Sequence, residues 1–282
     1  MTPPTQQRRG FSFWLLAGFF ACFVLFLYGP MLIIFVLSFQ GPKGGLTFPI
    51  DEFSTKWFVE LFSQSRSGDI AGALLRSLAL AGVTAIVTVV FSFFAGLAFR
   101  RPFVGSGVLF YMTIASLIMP GLLVGLGVSL AFRILGFFTD WTTSALGAQL
   151  TWTLPFGLLI MFAVLGRYNR SVDEAASDLG ATDAQRLWHV TLPIVFPGVL
   201  GVALFGFTLS YDEFPRSVTT VGSRNTLPLE IWAMTTNVTS PALYALGTMT
   251  SVASLVVVVL TLSVVSHIQR RRAAGSAPND GS

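Results

Sequence analysis

Tyr211-Asp212-Glu213 ends an apolar run with two adjacent carboxylates, side chains that can hold a positive charge. Acidic groups at the edge of an apolar segment are costly unless they face water, a partner or a cation. The pair therefore has two readings: it lines the path of a positively charged solute, or it begins an ordinary outer turn. Helix breakers fall inside two other apolar runs, at Met119-Pro120-Gly121 and at Leu154-Pro155-Phe156. They free backbone groups that neighbouring helices or cavity water must satisfy. Broken helices mark transport paths in several folds; a packed kink without solute contact is the alternative. Tyr211, Asp212, Glu213 and Pro120 are the candidate residues of a solute pathway.

Bond-breaking chemistry finds no support. The sequence has no Gly-x-x-x-x-Gly-Lys-Ser/Thr phosphate loop, so this chain is not expected to bind and hydrolyse ATP itself. The two histidines, His189 and His267, have neither metal-ligand spacing nor a serine partner. A single cysteine, Cys22, excludes an internal disulfide and a cysteine-based zinc site. No catalytic residue, metal ligand or cofactor is expected in this chain.

One polar stretch carries strong local signals. Ser171 with Glu174 three positions on forms a capping box, which predicts a helix from about Val172. Val172, Ala175, Ala176 and Leu179 then share one face, with Asp173, Glu174, Ser177 and Asp178 on the other. Gly180 falls where a left-handed residue ends such a helix. Thr182 with Gln185 forms a second capping box, and Ala184, Leu187, Trp188 and Thr191 share a face until Pro193 stops the run. The expectation is two short capped helices joined by a tight bend.

The setting of these residues is a membrane. Hydrophobic residues make up 53% and charged residues 11% of the 282-residue chain, and the mean hydropathy is +0.73, whereas a globular domain carries about a quarter charged residues. The chain reads as an all-α polytopic membrane protein in contact with lipid. Its net charge of +4 is spread along loops and forms no nucleic-acid stripe. A hydrocarbon core needs about 20 helical residues, and six segments qualify: 12–39, 73–98, 107–134, 144–165, 194–211 and 242–267. Gly29-Pro30 is a possible kink in the first. On a six-span path Arg8, Arg9, Arg100, Arg101, Arg167, Arg170, Arg186 and Arg270 to Arg272 fall on one side. Lys43, Lys56, Arg66, Arg216 and Arg224 fall on the other, so the positive-inside rule puts both termini and the capped helices in the cytoplasm. Arg76 and Arg133 lie near outer span ends, where they can snorkel.

The chain then divides into an N-terminal tail at 1–11, a six-span domain at 12–267 that includes the loop 171–193, and a polar tail at 268–282 that reads as disordered. Arg8-Arg9-Gly10-Phe11 resembles a twin-arginine signal, but the apolar run is too long for one and lacks a small-residue cleavage site, so a retained first span is expected. Trp57, Phe58, Leu61 and Phe62 fit one side of a short interfacial helix. Leu227 to Met234 reads as a short re-entrant or surface helix, and Ser240-Pro241 as the start of the last span.

Glu174-Ala175-Ala176, three residues, Gly180, nine residues, then Val190-x-Leu192-Pro193 resembles the EAA loop of permease subunits in binding-protein-dependent ABC importers, proteins of the MetI-like fold. Val190 stands where isoleucine is usual. Phe207 to Phe214, Thr226 to Met234 and Val238 to Gly247 narrow the resemblance to the spermidine/putrescine, PotC-like branch. The resemblance implies a six-span permease core in the bacterial inner membrane, with ATP and Mg on a partner ATPase dimer. It also implies a second permease subunit, favoured as a sister chain, and an extracytoplasmic solute-binding protein. The solute it implies is a polyamine, with amino-acid derivatives and other small organic solutes as alternatives. It assigns ATPase coupling to Glu174, Ala175, Ala176, Gly180, Ala184, Leu187, Val190, Leu192 and Pro193. Within that set Gly180 keeps the bend tight, the two alanines allow close approach, and Glu174 holds the cap and contacts the ATPase. The rival reading, a secondary transporter driven by an ion gradient, calls for intramembrane ionisable pairs, which the sequence scarcely offers away from span ends. A structural or assembly membrane protein would leave the EAA spacing to chance.

Overall fold

The computed structural model describes residues 10–42, 52–61, 69–101, 103–237 and 241–275. Arg8, Arg9, Lys43, Phe62, Arg66, Ser240 and the sequence beyond 275 lie outside them. The helices are α1 (Phe11–Leu37), α2 (Lys56–Glu60), α3 (Ile70–Ala98), α4 (Ser106–Ile118), α5 (Gly121–Ile134) and α6 (Ser144–Gly166). There follow α7 (Ser171–Asp178), α8 (Asp183–Gln185), α9 (Leu192–Tyr211), α10 (Ser217–Thr220), α11 (Leu227–Asn237) and α12 (Pro241–Gly275). A π-helical turn, Arg186–Thr191, joins α8 to α9. Among the described residues α1, α3, α6 and the continuous run Asp183–Tyr211 are long and apolar enough to cross a membrane. The pair α4 and α5 makes a fifth candidate, bent through 108°.

The break expected at Met119-Pro120-Gly121 is present, and three other sequence expectations change. The third span is a sharply folded pair, because Met119 and Pro120 both take extended ψ angles, 132° and 125°, and the helix stops and restarts. Pro155 does not interrupt its helix; α6 runs through it, as α1 runs through Pro30. Nor does Pro193 stop the run from Asp183. The π turn before it bonds Leu192 N–H to Leu187 O, five residues back, and this wider turn carries the chain past a residue that has no N–H of its own. At the C-terminal end α12 continues to Gly275, past the expected span end at 267, because Gln269 to Ala274 are good helix formers.

Two compact units are distinguishable, residues 1–67 with 234–282, and residues 68–233. In the first, α12 packs on α1 and on α2. Trp57 is buried and donates to Gln40 O at 2.8 Å, so it anchors α2 on protein rather than facing a headgroup layer. In the second, α3, α6 and α9 pack against one another. Phe93, Met161, Leu165, Tyr168, Val195 and Val202 form their core, with Leu97, Leu187 and Leu192 packed on it. Lipid tails are as apolar as these side chains, so close backbone approach and interhelical hydrogen bonds must supply the specificity. Thr88 and Thr153 hydroxyls meet at 3.0 Å, fully buried. Gly157, one turn on, lies so close to Ser92 and Thr88 that an added Cβ would strike both. Asp69 caps α3 through Gly72 N–H at 3.0 Å, and Arg76 pairs with Asp69 at 2.9 Å and donates to Asn225 O at 2.7 Å. Arg76 is therefore tied to protein and does not snorkel.

Replacing Gly157 by valine should overpack this interface and destabilise the protein by about 1–3 kcal/mol, lowering its melting temperature in detergent. Gly147→Val, on the same helix where open space surrounds the Cβ position, should leave it nearly unchanged.

Candidate coupling surface and solute-pathway residues

At one end of the α3–α6–α9 core, α7 stands clear of the apolar surface. Its first capping box is not formed. The helix begins at Ser171 after Arg170, without a side-chain cap, and Ser171 N–H is taken by Asn169 Oδ1 at 3.1 Å. Asn169 satisfies the Ser171 N–H that the Glu174 side chain was expected to serve, so Glu174 is free of the cap and exposed. The far end matches expectation: Gly180 has φ +84°, Gly180 N–H reaches Ser177 O at 2.9 Å and Ala181 N–H reaches Ala176 O at 3.0 Å. That double closure is a Schellman motif, and its left-handed residue favours glycine. The second capping box is present, with Thr182 and Gln185 bonded reciprocally.

The nine expected coupling residues separate into two groups. Glu174, Ala175, Gly180, Ala184 and Pro193 are exposed. Leu187 and Leu192 turn inward onto the core, and Ala176 and Val190 are half-buried. Trp188 and Thr191, expected on one face, part company: Trp188 is exposed and Thr191 buried, since the π turn changes the angular step between residues.

What fixes α7 is a residue the sequence reading left on its polar face. Asp173 accepts from Tyr168 Oη at 2.6 Å and from Thr191 Oγ1 at 3.1 Å on one oxygen, and from Arg100 Nη2 at 3.1 Å on the other. The Arg100 guanidinium also lies over the Tyr168 ring, 4.8 Å from its centroid, and Arg170 donates to Arg100 O at 2.7 Å. One carboxylate thus joins the ends of α3 and α6, the helix α7 and the start of the α9 run. Partial burial pushes the Asp173 carboxyl up, but the bonds from Tyr168, Thr191 and Arg100 outweigh this and hold it below its ordinary value. Beside it opens a 430 Å³ cleft lined by Arg100, Arg101, Arg170 and Arg186 with Asp173, Glu174 and Asp183. Sequence alone had no means of pairing Arg100 with a residue 73 positions away.

The opposite end of the unit holds the second set of candidates. Tyr211 stacks on Phe207, centroids 6.1 Å apart and planes within 7°. Asp212 is exposed, and among the described residues its carboxylate has no ion pair or hydrogen bond. Glu213 is buried instead: it accepts Arg216 N–H at 2.9 Å and pairs with the Arg216 guanidinium at 3.5 Å. The chain after it turns at Pro215 and Arg216 and folds back inward. Arg216, Ser217 and Thr220 are buried, with Ser217 Oγ accepting from Gln149 Nε2 at 3.1 Å and Thr220 O accepting from Ser144 Oγ at 2.6 Å. These bonds draw α10 inward against α6 and satisfy its polar groups. Pro120 is exposed, and the break beside it abuts this segment, since a Cβ on Gly121 would come within 2.8 Å of Arg216 Nη1.

A broken helix pair, a packed three-helix core and an exposed capped loop are the parts of a multi-pass membrane protein of the permease class. The chain belongs to the family of binding-protein-dependent transport system inner membrane components, which it matches over residues 88–273. It is 30% identical over 244 residues, 86% of this chain and 90% of the relative, to the spermidine/putrescine transport system permease protein PotC of Escherichia coli (strain K12). To the putrescine transport system permease protein PotI of the same strain it is 29% identical, covering 79% of this chain and 81% of PotI. The fold is similar to that of a chain in the crystal structure of a bacterial ABC transporter involved in the import of the acidic polysaccharide alginate. There the TM-score is 0.64 at 18% identity, over 93% of this chain and 99% of that one. The chain is therefore a multi-pass inner-membrane permease subunit of a binding-protein-dependent ABC importer and not itself an ATPase. Such subunits carry no cofactor, and membership implies an ATPase, a binding protein and a partner permease in one complex.

Because the Asp173 carboxyl is held low, its contribution is complete above the ordinary aspartate range, about pH 4, and is lost as pH falls through the lowered value. Hydrogen-exchange protection of α7 should therefore hold from neutral pH down to that range and fail only in stronger acid. Asp173→Asn should lower protection of residues 171–178 about tenfold at neutral pH; protection equal to wild type would show that the node does not hold the helix.

Proposed function

We propose that this permease passes a small organic cation, a polyamine such as spermidine or putrescine or a related solute, handed over by an extracytoplasmic binding protein. The observation that carries this reading is Asp212, an exposed carboxylate without an ion partner among the described residues, next to Tyr211 stacked on Phe207. A carboxylate with aromatic faces is the chemistry that holds an alkylammonium group. The break at Pro120, beside Pro215 and Arg216, and the spermidine/putrescine and putrescine permeases among the relatives support it.

In this reading α7, Gly180 and α8 are the coupling element. Closure of an ATPase dimer on ATP draws them together with those of a second, sister permease, and the spans tilt with them. Six spans are assigned: α1, α3, the α4–α5 pair, α6, the run Asp183–Tyr211, and α12, with tails at 1–11 and 268–282 and both termini in the cytoplasm. The gathering of Arg100, Arg101, Arg170 and Arg186 around one cleft supports that orientation.

Glu174→Lys and Gly180→Asp should leave the complex inserted while solute uptake in vesicles falls at least about tenfold and loaded binding protein no longer stimulates ATP hydrolysis, the cost of losing a docking contact worth about 1.4 kcal/mol or more. Normal uptake by either variant would contradict the coupling assignment. Asp212→Asn should raise the KM for a cationic solute about tenfold; an unchanged KM would remove Asp212 from the pathway.

A further inference from the structure

We propose that Arg216 is a specificity-determining residue: it keeps Glu213 from the solute and leaves Asp212 as the one member of that acidic pair offered to a solute ammonium. The inference rests on the cation reading given above and sharpens it.

The parts around Arg216 are those of a cation site. Its guanidinium carbon lies 4.7 Å from the centroid of the Trp152 ring, its Nη1 is 3.5 Å from Glu213 Oε1, and its Nε donates to Thr151 Oγ1 at 3.4 Å. A carboxylate, an indole face and a hydroxyl would accept an alkylammonium or a guanidinium from a solute equally well. Here the chain supplies the cation itself. Side-chain exposures of 6% for Arg216 and 2% for Glu213 show that the two charges are withdrawn from water together. A solute ammonium could reach Glu213 only by expelling Arg216, and a buried charge stripped of its partner is strongly unfavourable.

Arg216 is also held where it is. Thr220 Oγ1 donates to Arg216 O at 2.7 Å, and a Cβ on Gly125 would lie 2.7 Å from that same oxygen. Ser129 Oγ, one turn further along α5, donates to Thr219 O at 2.5 Å. The small residues Gly121, Gly125 and Ser129 thus seat α10 flush on α5 and hold the Arg216 backbone, with Gly121 beside the guanidinium. Asp212, one residue before Glu213, shares none of these contacts and stays exposed. The two adjacent carboxylates therefore present the solute with one net negative charge rather than two, which favours solutes of lower positive charge.

The test measures uptake of putrescine and of spermidine by the reconstituted complex of both permeases, ATPase and saturating binding protein, and reads the ratio of the two. Arg216→Gln uncovers Glu213 and should shift the ratio at least about fivefold toward the more highly charged spermidine, through one added carboxylate contact. Arg216→Gln with Glu213→Gln should return the ratio to within about twofold of wild type, and Arg216→Lys should keep it there. Equal ratios in all four proteins would overturn the role of Arg216 while leaving cation transport standing. Uptake of neither amine by the wild type would overturn the cation reading and this inference with it. Should Arg216→Gln fail to accumulate in the membrane, the double variant decides. An unchanged ratio supports the inference, and a loss of putrescine uptake of about tenfold or more would place Glu213 on the solute and contradict it.

Discussion

The Asp173 carboxylate is the point on which the attachment of α7 to the helical core depends. Three donors from three stretches of chain converge on it, Arg100 after α3, Tyr168 after α6 and Thr191 at the head of α9. The residue itself sits in the first turn of α7, where the helix dipole adds a favourable field for a negative charge. α7 is only eight residues long and has little apolar surface to bury, so it has no independent means of staying attached. Without the node it would be a short amphipathic helix on a leash between α6 and α8. With it, the proposed coupling helix is tied to three long helices at once.

The second requirement is that those helices respond as a body. The core of Phe93, Met161, Leu165, Tyr168, Val195 and Val202 is shared by α3, α6 and α9, and the Thr88–Thr153 bond and the close seat of Gly157 fix their register. The π turn at Arg186–Thr191 matters for the same reason: it keeps Asp183–Tyr211 one continuous helix through Pro193. A stop at that proline would have left a hinge between the exposed loop and the apolar body, and a hinge would absorb displacement instead of passing it on. Wide turns of this kind recur at functional sites in helices.

Much of this was legible in the residues themselves because the signals were local. The Thr182–Gln185 box, the left-handed Gly180, and α1, α3 and α6 to within a few residues of their observed ends follow from side-chain type and short-range periodicity. The misreadings were those in which a neighbour in space overrode a neighbour in sequence. Asn169 took the N–H that Ser171 and Glu174 were expected to manage. Pro155 stayed inside a helix braced from the side by α3, whereas Pro120, with an extended Met119 before it, turned its helix through 108°. Glu213 looked like half of a matched pair with Asp212 until Arg216, three residues on, was seen to occupy it. The pairing of Arg100 with Asp173 lies beyond any periodicity, since the partners are joined only by the fold.

The central claim is that α7 and the long helix Asp183–Tyr211 move as one piece when the partner ATPase closes. The most direct test is a pair of spin labels in the assembled complex, one at the exposed Ser177 on α7 and one at the exposed Thr208 on α9, measured without nucleotide and in the ATP-trapped state. Rigid transmission predicts that the distance changes by less than about 2 Å, the scale of a small helix adjustment. A change of about 5 Å or more, a full turn of slippage between the two elements, would show that the displacement is lost at α7 and would contradict the account.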